Sequence, residues 1–107
     1  MRVIRTRRYL KDLERMGVTA AEAQTLEKMV ASDPFAGDVV KGLGGVRKVR
    51  FGFGGRGKRG GGRAIYFLMV ADDAIAMLFA YAKNEREDLT PDQRKEALRI
   101  LKEMTGD

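Results

Sequence analysis

Two apolar runs constrain this chain more than any other feature: "RAIYFLMVA", residues 63–71, and "AIAMLFAYAK", residues 74–83. Only the pair Asp72-Asp73, a candidate hairpin turn, separates them. A half-buried strand alternates apolar and polar residues, whereas these runs carry apolar side chains at both parities. They are therefore expected to be central strands, covered on both faces.

The rest of the sequence supplies the covers. Tyr9, Leu10, Leu13 and Met16 form one helical stripe, with Gly17 as its stop. "TAAE" is a capping box, Thr19 as N-cap and Glu22 at N3, opening a second helix with Ala23, Leu26, Met29 and Val30 on its apolar face. Asp33-Pro34 ends that helix. "TPDQ" opens a last helix, with Thr90 as cap, Pro91 at N1 and Gln93 at N3, and Ala97, Leu98, Leu101 and Met104 as its core stripe. "VRKVRFGF" alternates strictly, placing Val49, Phe51 and Phe53 on one face and Lys48 and Arg50 on the other. Residues 2–5 supply a candidate short N-terminal edge strand. The expected fold is a single α+β domain over residues 1–107: a small antiparallel sheet, a three-strand meander, packed against an N-terminal helical hairpin and a C-terminal helix.

Composition narrows the chemistry. The chain has no cysteine and no histidine, so disulfides, thiolate nucleophiles and the usual neutral-pH general base are excluded. Neither a bilayer-spanning run nor a signal-peptide h-region is visible, which points to a cytoplasmic protein without a membrane partner. The formal charge of +6 is unevenly spread: residues 41–63 hold 8 basic side chains and no acidic one. These are Lys41, Arg47, Lys48, Arg50, Arg56, Lys58, Arg59 and Arg63. A positive stripe on an otherwise balanced chain suggests a polyanionic partner such as nucleic acid.

Within that stripe, "FGFGGRGKRGGGR" spells G-x-x-x-x-G-K from Gly52 to Lys58. A phosphate-binding P-loop needs Ser or Thr after the lysine and a helix beyond it. Here Arg59 follows, and then a strand. The stretch reads instead as a hairpin connection with Arg56, Lys58 and Arg59 on it, either closing over a ligand or merely mobile. The carboxylates Asp72, Asp73, Glu85, Glu87 and Asp88 read as turn and helix-approach charges rather than as a metal site.

"GGVRKVRF", "GKRGGGRAIYF" and "YAKNEREDLT", in this order of elements, resemble the RelE/HigB-like toxins of bacterial type II toxin–antitoxin modules, over nearly all of residues 20–104. The resemblance implies a ribosome-dependent mRNA endonuclease that cuts in the ribosomal A site. In that chemistry the ribose 2′-oxygen attacks the neighbouring phosphate, with neither metal nor cofactor. It implies a cognate antitoxin, typically a helix-turn-helix DNA-binding protein, through which alone the toxin meets operator DNA. The family's basic strand pair falls on Lys48 and Arg50, its strand-opening arginine on Arg63, its basic turn on Lys83 and Arg86, and its loop lysine on Lys58. Arg47, Arg56, Arg59 and Arg86 are expected to contact RNA. Arg63 could clamp two phosphate oxygens in a bidentate fork. Lys48 or Lys83, crowded by cations, could take the 2′-proton. Some relatives carry arginine where Asn84 stands, and a tyrosine or histidine acid/base near Thr90, which here reads as a helix cap. Tyr66 and Tyr81 read as core. Two other activities share this background: gyrase poisoning by the ParE-like branch of the superfamily, and plain RNA binding without cleavage.

Overall fold

The computed structural model describes residues 1–57, 61–85 and 88–106. Its elements run β1 (Arg2–Arg5), α1 (Arg7–Met16), α2 (Ala20–Ser32), β2 (Asp38–Val39), β3 (Arg47–Phe51), β4 (Gly62–Met69), β5 (Ala74–Ala82) and α3 (Pro91–Thr105). The five strands form one sheet in the order β1-β5-β4-β3-β2. The meander β3-β4-β5 is antiparallel, as the sequence predicts, whereas β1 pairs parallel with residues 74–77 of β5. The two-residue β2 beside β3 has no sequence signature, being too short to alternate.

The central strands are covered twice. Every residue of β5 is buried. On one face α1 and α2 press Tyr9, Leu13, Leu26 and Val30 against Phe51, Phe53, Ala64, Tyr66, Ile75, Met77, Ala80 and Ala82. On the other, α3 presses Ala97, Ile100 and Leu101 against Val46, Ile65, Ala76, Leu78, Phe79 and Tyr81. The register slips between Ile65↔Phe79 and Tyr66↔Met77, so Leu78 is an extra residue in β5. This bulge puts Leu78 and Phe79 on the same face and inverts the parity of everything after them.

The helix ends follow the predicted chemistry. Thr19 and Thr90 both close full capping boxes, with Glu22 and Gln93 respectively. Gly17 is left-handed at φ 76°. Two stripe assignments are corrected. Leu10 is 49% exposed while Asp12 is buried, because the Asp12 carboxylate accepts the Ala80 N–H at 3.0 Å. Leu98 is 47% exposed and Ile100 takes its place in the core. The β4–β5 link is also longer than an Asp-Asp turn: a 3₁₀ turn over Val70–Asp72 delivers Asp73 in the left-handed region at φ 49°. Beneath α1 and α2, Glu27 accepts from Arg5 Nε at 2.9 Å and from the Tyr9 hydroxyl at 2.9 Å. Burial, and then the Glu27 charge, push the Tyr9 hydroxyl well above its ordinary range.

Candidate RNA-binding face

The meander's register assembles the cations. Arg50 stands directly opposite Arg63, Lys48 opposite Ile65, and Arg63 opposite Tyr81. Lys48 and Arg50 share the parity of Val46, and Arg63 that of Ile65, so all three stand on the α3 side of the sheet. Directly opposed side chains have Cβ atoms about 5 Å apart, and like charges so placed repel. A face that brings such charges together is suited to an anion that relieves the repulsion.

The three differ in access. Arg50 is exposed, Lys48 is partly buried, and Arg63 is only 7% exposed. Arg63 Nη1 donates to the Gly62 carbonyl at 3.0 Å, which fixes the guanidinium at the floor of the face. At that depth its field is less screened than that of a surface arginine. Lys48 Nζ lies 3.8 Å from the Asp88 carboxylate, which also stands 3.7 Å from Arg94. The approach to α3 therefore leans an anion against the cationic face.

Lys83 reaches the same end of the sheet by backbone contact. It directly follows β5 and is exposed, and its N–H donates to the Gly61 carbonyl at 2.9 Å. That bond joins the turn after β5 to the residue that enters β4. Here the Leu78 bulge is decisive, since it sets the parity that brings Tyr81, and not Ala80, beside Arg63.

The glycine-rich stretch is more ordered than a mobile loop up to Gly57. Gly54 and Gly55 lie at φ 59° and 77°, and the Arg56 N–H donates to the Phe53 carbonyl at 3.0 Å, closing a two-residue turn. The Arg56 guanidinium lies 5.6 Å from the Phe53 ring centre. Glu22, already part of the α2 capping box, also accepts the Gly54 N–H at 2.7 Å. Both backbone bonds hold its carboxyl below the ordinary glutamate range, the Thr19 bond first and then the Gly54 bond. Gly61 and Gly62 serve close packing instead. A Cβ on Gly62 would stand 2.6 Å from the Phe51 ring, and one on Gly61 would collide with the Phe51 carbonyl. Among the described residues an added Cβ meets nothing within 4 Å at Gly54, Gly55 and Gly57, so open space lies there and not at Gly61 or Gly62.

Other expected site residues fall elsewhere. Arg47 has the parity of Phe51, on the α1–α2 side of the sheet. Its Nη1 donates to the Gly37 carbonyl at 2.7 Å and its guanidinium lies 5.1 Å from the Phe35 ring centre. Arg47 thus clamps the connection between α2 and β2 and does not join the cationic face. Lys58, Arg59 and Arg86 lie outside the described residues. Tyr81 is fully buried, and so is Tyr66, whose hydroxyl donates to the Pro34 carbonyl at 2.8 Å and accepts the Gly37 N–H at 3.0 Å. Thr90 is engaged as a cap. Among the described residues no cluster of His, Asp, Glu or Cys could hold a metal ion, and no helix is long and apolar enough to cross a membrane.

Sequence reasoning missed Asp12 and Arg15, and it read Glu85 as a turn charge without its partner on α1. Asp12 accepts from Ala80, Glu85 accepts from Ala82 at 3.1 Å, and Arg15 contacts both carboxylates. The one available signal was an aspartate inside an otherwise apolar helical sector.

The sequence pattern of the family described as "RelE toxin of RelE / RelB toxin-antitoxin system" matches residues 1–106. The fold is similar to that of the E. coli toxin RelE in the free state, solved as a double arginine-to-alanine variant. That match has a TM-score of 0.63 at 13% identity and covers 94% of this chain and 96% of that one. The isolated E. coli RelE toxin in its P21 crystal form matches with a TM-score of 0.55 at 14% identity, covering 92% and 97%.

Proposed function

Because the chain belongs to the RelE toxin family of toxin–antitoxin systems, we propose that it is a cytoplasmic toxin that cuts mRNA on the ribosome. The observation that carries this reading is the register Arg50↔Arg63 beside Lys48, a set of cations on one otherwise packed sheet face.

A phosphodiester reaching this face meets exposed Arg50 first and buried Arg63 below it. In-line attack by a ribose 2′-oxygen gathers negative charge on the non-bridging phosphate oxygens. Preorganised donors already aimed at that charge stabilise the transition state more than the ground state, by roughly 3 kcal/mol each. Arg63 suits this role because the Gly62 carbonyl fixes it before substrate arrives. Lys48 or Lys83, as its neutral amine, takes the 2′-proton, and the 5′-oxygen leaves with a proton donated by the ammonium of the other lysine or by water. The products are a 2′,3′-cyclic phosphate and a 5′-hydroxyl, and no step calls for a metal. The ribosome supplies the placement of the scissile nucleotides, so modest acid–base groups suffice. Arg56 adds an RNA-backbone contact, and of the residues outside the described ones the family resemblance assigns Lys58 to the cleavage site and Arg59 and Arg86 to RNA contact. A RelB-like antitoxin partner neutralises the toxin and alone links it to operator DNA.

The test is induction in growing cells. Wild-type protein arrests growth with mRNA cut inside translated regions, and the Arg63→Ala/Lys83→Ala variant, kept soluble, restores growth. Growth arrest by that variant would remove the assigned site. DNA breaks without mRNA cleavage would move the chain to the gyrase-poisoning activity.

A further inference from the structure

The edge of β5 beyond β1 is closed by side chains instead of a strand. β1 ends at Arg5, opposite Met77, and the next backbone groups along that edge would be left open. The Thr6 hydroxyl donates to the Leu78 carbonyl at 2.9 Å. The Asp12 carboxylate accepts the Ala80 N–H at 3.0 Å, and Glu85 accepts the Ala82 N–H at 3.1 Å. These partners recur every second residue, the spacing at which a strand's edge groups point the same way.

Arg15 joins the last two. Its Nη1 donates to Glu85 at 2.7 Å, and its Nη2 stands 3.5 Å from Asp12. Asp12, with its side chain 4% exposed, is held further by Arg8 Nε at 3.2 Å. Glu85 follows Lys83 by two residues, and its own N–H donates to the Ala82 carbonyl at 3.0 Å. The turn carrying Lys83 is therefore gripped from α1 on one side and from the Gly61 carbonyl on the other.

We propose that Arg15, acting through the carboxylates of Asp12 and Glu85, is a positioning residue for Lys83. This rests on the assignment of Lys83 to the cleavage site above. Arg15 lies on α1, on a different element from every cation of that site, and need not touch RNA. Loss of the clasp lets the turn relax from the β5 edge and displaces the Lys83 side chain from the scissile phosphate. A displacement on the order of 1 Å is enough to slow a positioned reaction by about 10- to 100-fold.

The experiment measures single-turnover mRNA cleavage on programmed ribosomes. Arg15→Ala is expected to slow cleavage at saturating ribosomes by about 10- to 100-fold while leaving the half-saturating concentration unchanged. Arg15→Lys should recover part of the rate, and Arg15→Ala/Lys83→Ala should cut no more slowly than Lys83→Ala alone. Glu85→Gln keeps an oxygen for the Ala82 N–H but removes the charge that holds Arg15. It should reproduce the slowing even if Arg15→Ala melts too early to assay. Wild-type rates in both Arg15→Ala and Glu85→Gln, or rate losses that multiply in the double variant, overturn the proposal. A Lys83→Ala protein that cuts at full rate would overturn the site assignment itself, and the clasp's role with it, visibly in that variant alone.

Discussion

Gly61→Ala is the substitution whose effect the geometry defines most sharply. Gly61 enters β4, and its α-carbon passes so close to β3 that an added methyl would collide with the Phe51 carbonyl oxygen. The same methyl would lie 2.8 Å from the Gly57 carbonyl oxygen and 3.1 Å from the Gly52 α-carbon. All three neighbours are backbone, so no rotamer change relieves the clash, and β3 and β4 must part. Overpacking of this kind costs roughly 1–3 kcal/mol. A loss of about 2 kcal/mol lowers the melting temperature of a 107-residue domain by about 9 °C. The Lys83 N–H donates to the Gly61 carbonyl, so its protection from hydrogen exchange should fall as well. Gly57→Ala is the matched control, since among the described residues nothing lies within 4 Å of its added methyl. It should shift stability by less than about 0.5 kcal/mol. Thermal unfolding followed by circular dichroism reads both variants. Equal melting temperatures for the two would refute the close approach of β4 to β3.

Two further expectations concern titrating groups away from the cationic face. The Glu22 carboxyl is depressed by its Thr19 and Gly54 bonds, so the tether to Gly54 is intact above the ordinary glutamate range and is released as pH falls below it. In Glu22→Ala the Gly54 amide should exchange about fivefold faster at neutral pH, whereas unchanged exchange would deny the tether. The Tyr9 hydroxyl is raised by burial and by Glu27, so its contribution to stability is complete below about pH 10 and is lost as pH climbs beyond it. Tyr9→Phe should be less stable by about 1 kcal/mol at pH 7 and lose less stability between pH 9 and 11; parallel stability curves would contradict this.

Local chemistry was legible in the sequence. Thr19 with Glu22 and Thr90 with Gln93 make caps whose partners lie three residues away, so no tertiary knowledge is needed to read them. The double-sided burial of 74–82 was equally open, because apolar residues at both parities admit few other environments. Features set by distant backbone were closed to such reading. Asp12 looks like a surface residue until Ala80, 68 positions away, needs an acceptor. Arg47 and Lys48 look alike in a basic run, yet alternation sends Arg47 to Phe35 and Gly37 and leaves Lys48 on the cationic side. The bulge at Leu78 sets which residue meets Arg63, and no glycine or proline marks it. The glycine-rich stretch reads in sequence as a connection that closes over a ligand or is merely mobile, whereas Gly61 and Gly62 let β3 and β4 nearly touch.

The central claim is that the Lys48–Arg50–Arg63 face, with Lys83 beside it, cleaves RNA by 2′-oxygen attack. Purified protein added to ribosomes holding a defined mRNA, in buffer containing EDTA at a level that leaves the ribosomes intact, tests it most directly through the chemistry of the new ends. The account predicts a 2′,3′-cyclic phosphate and a 5′-hydroxyl from wild-type protein, and a rate at least about 100-fold lower from Arg63→Ala. Ends bearing a 5′-phosphate, or wild-type rates from Arg63→Ala, would contradict it.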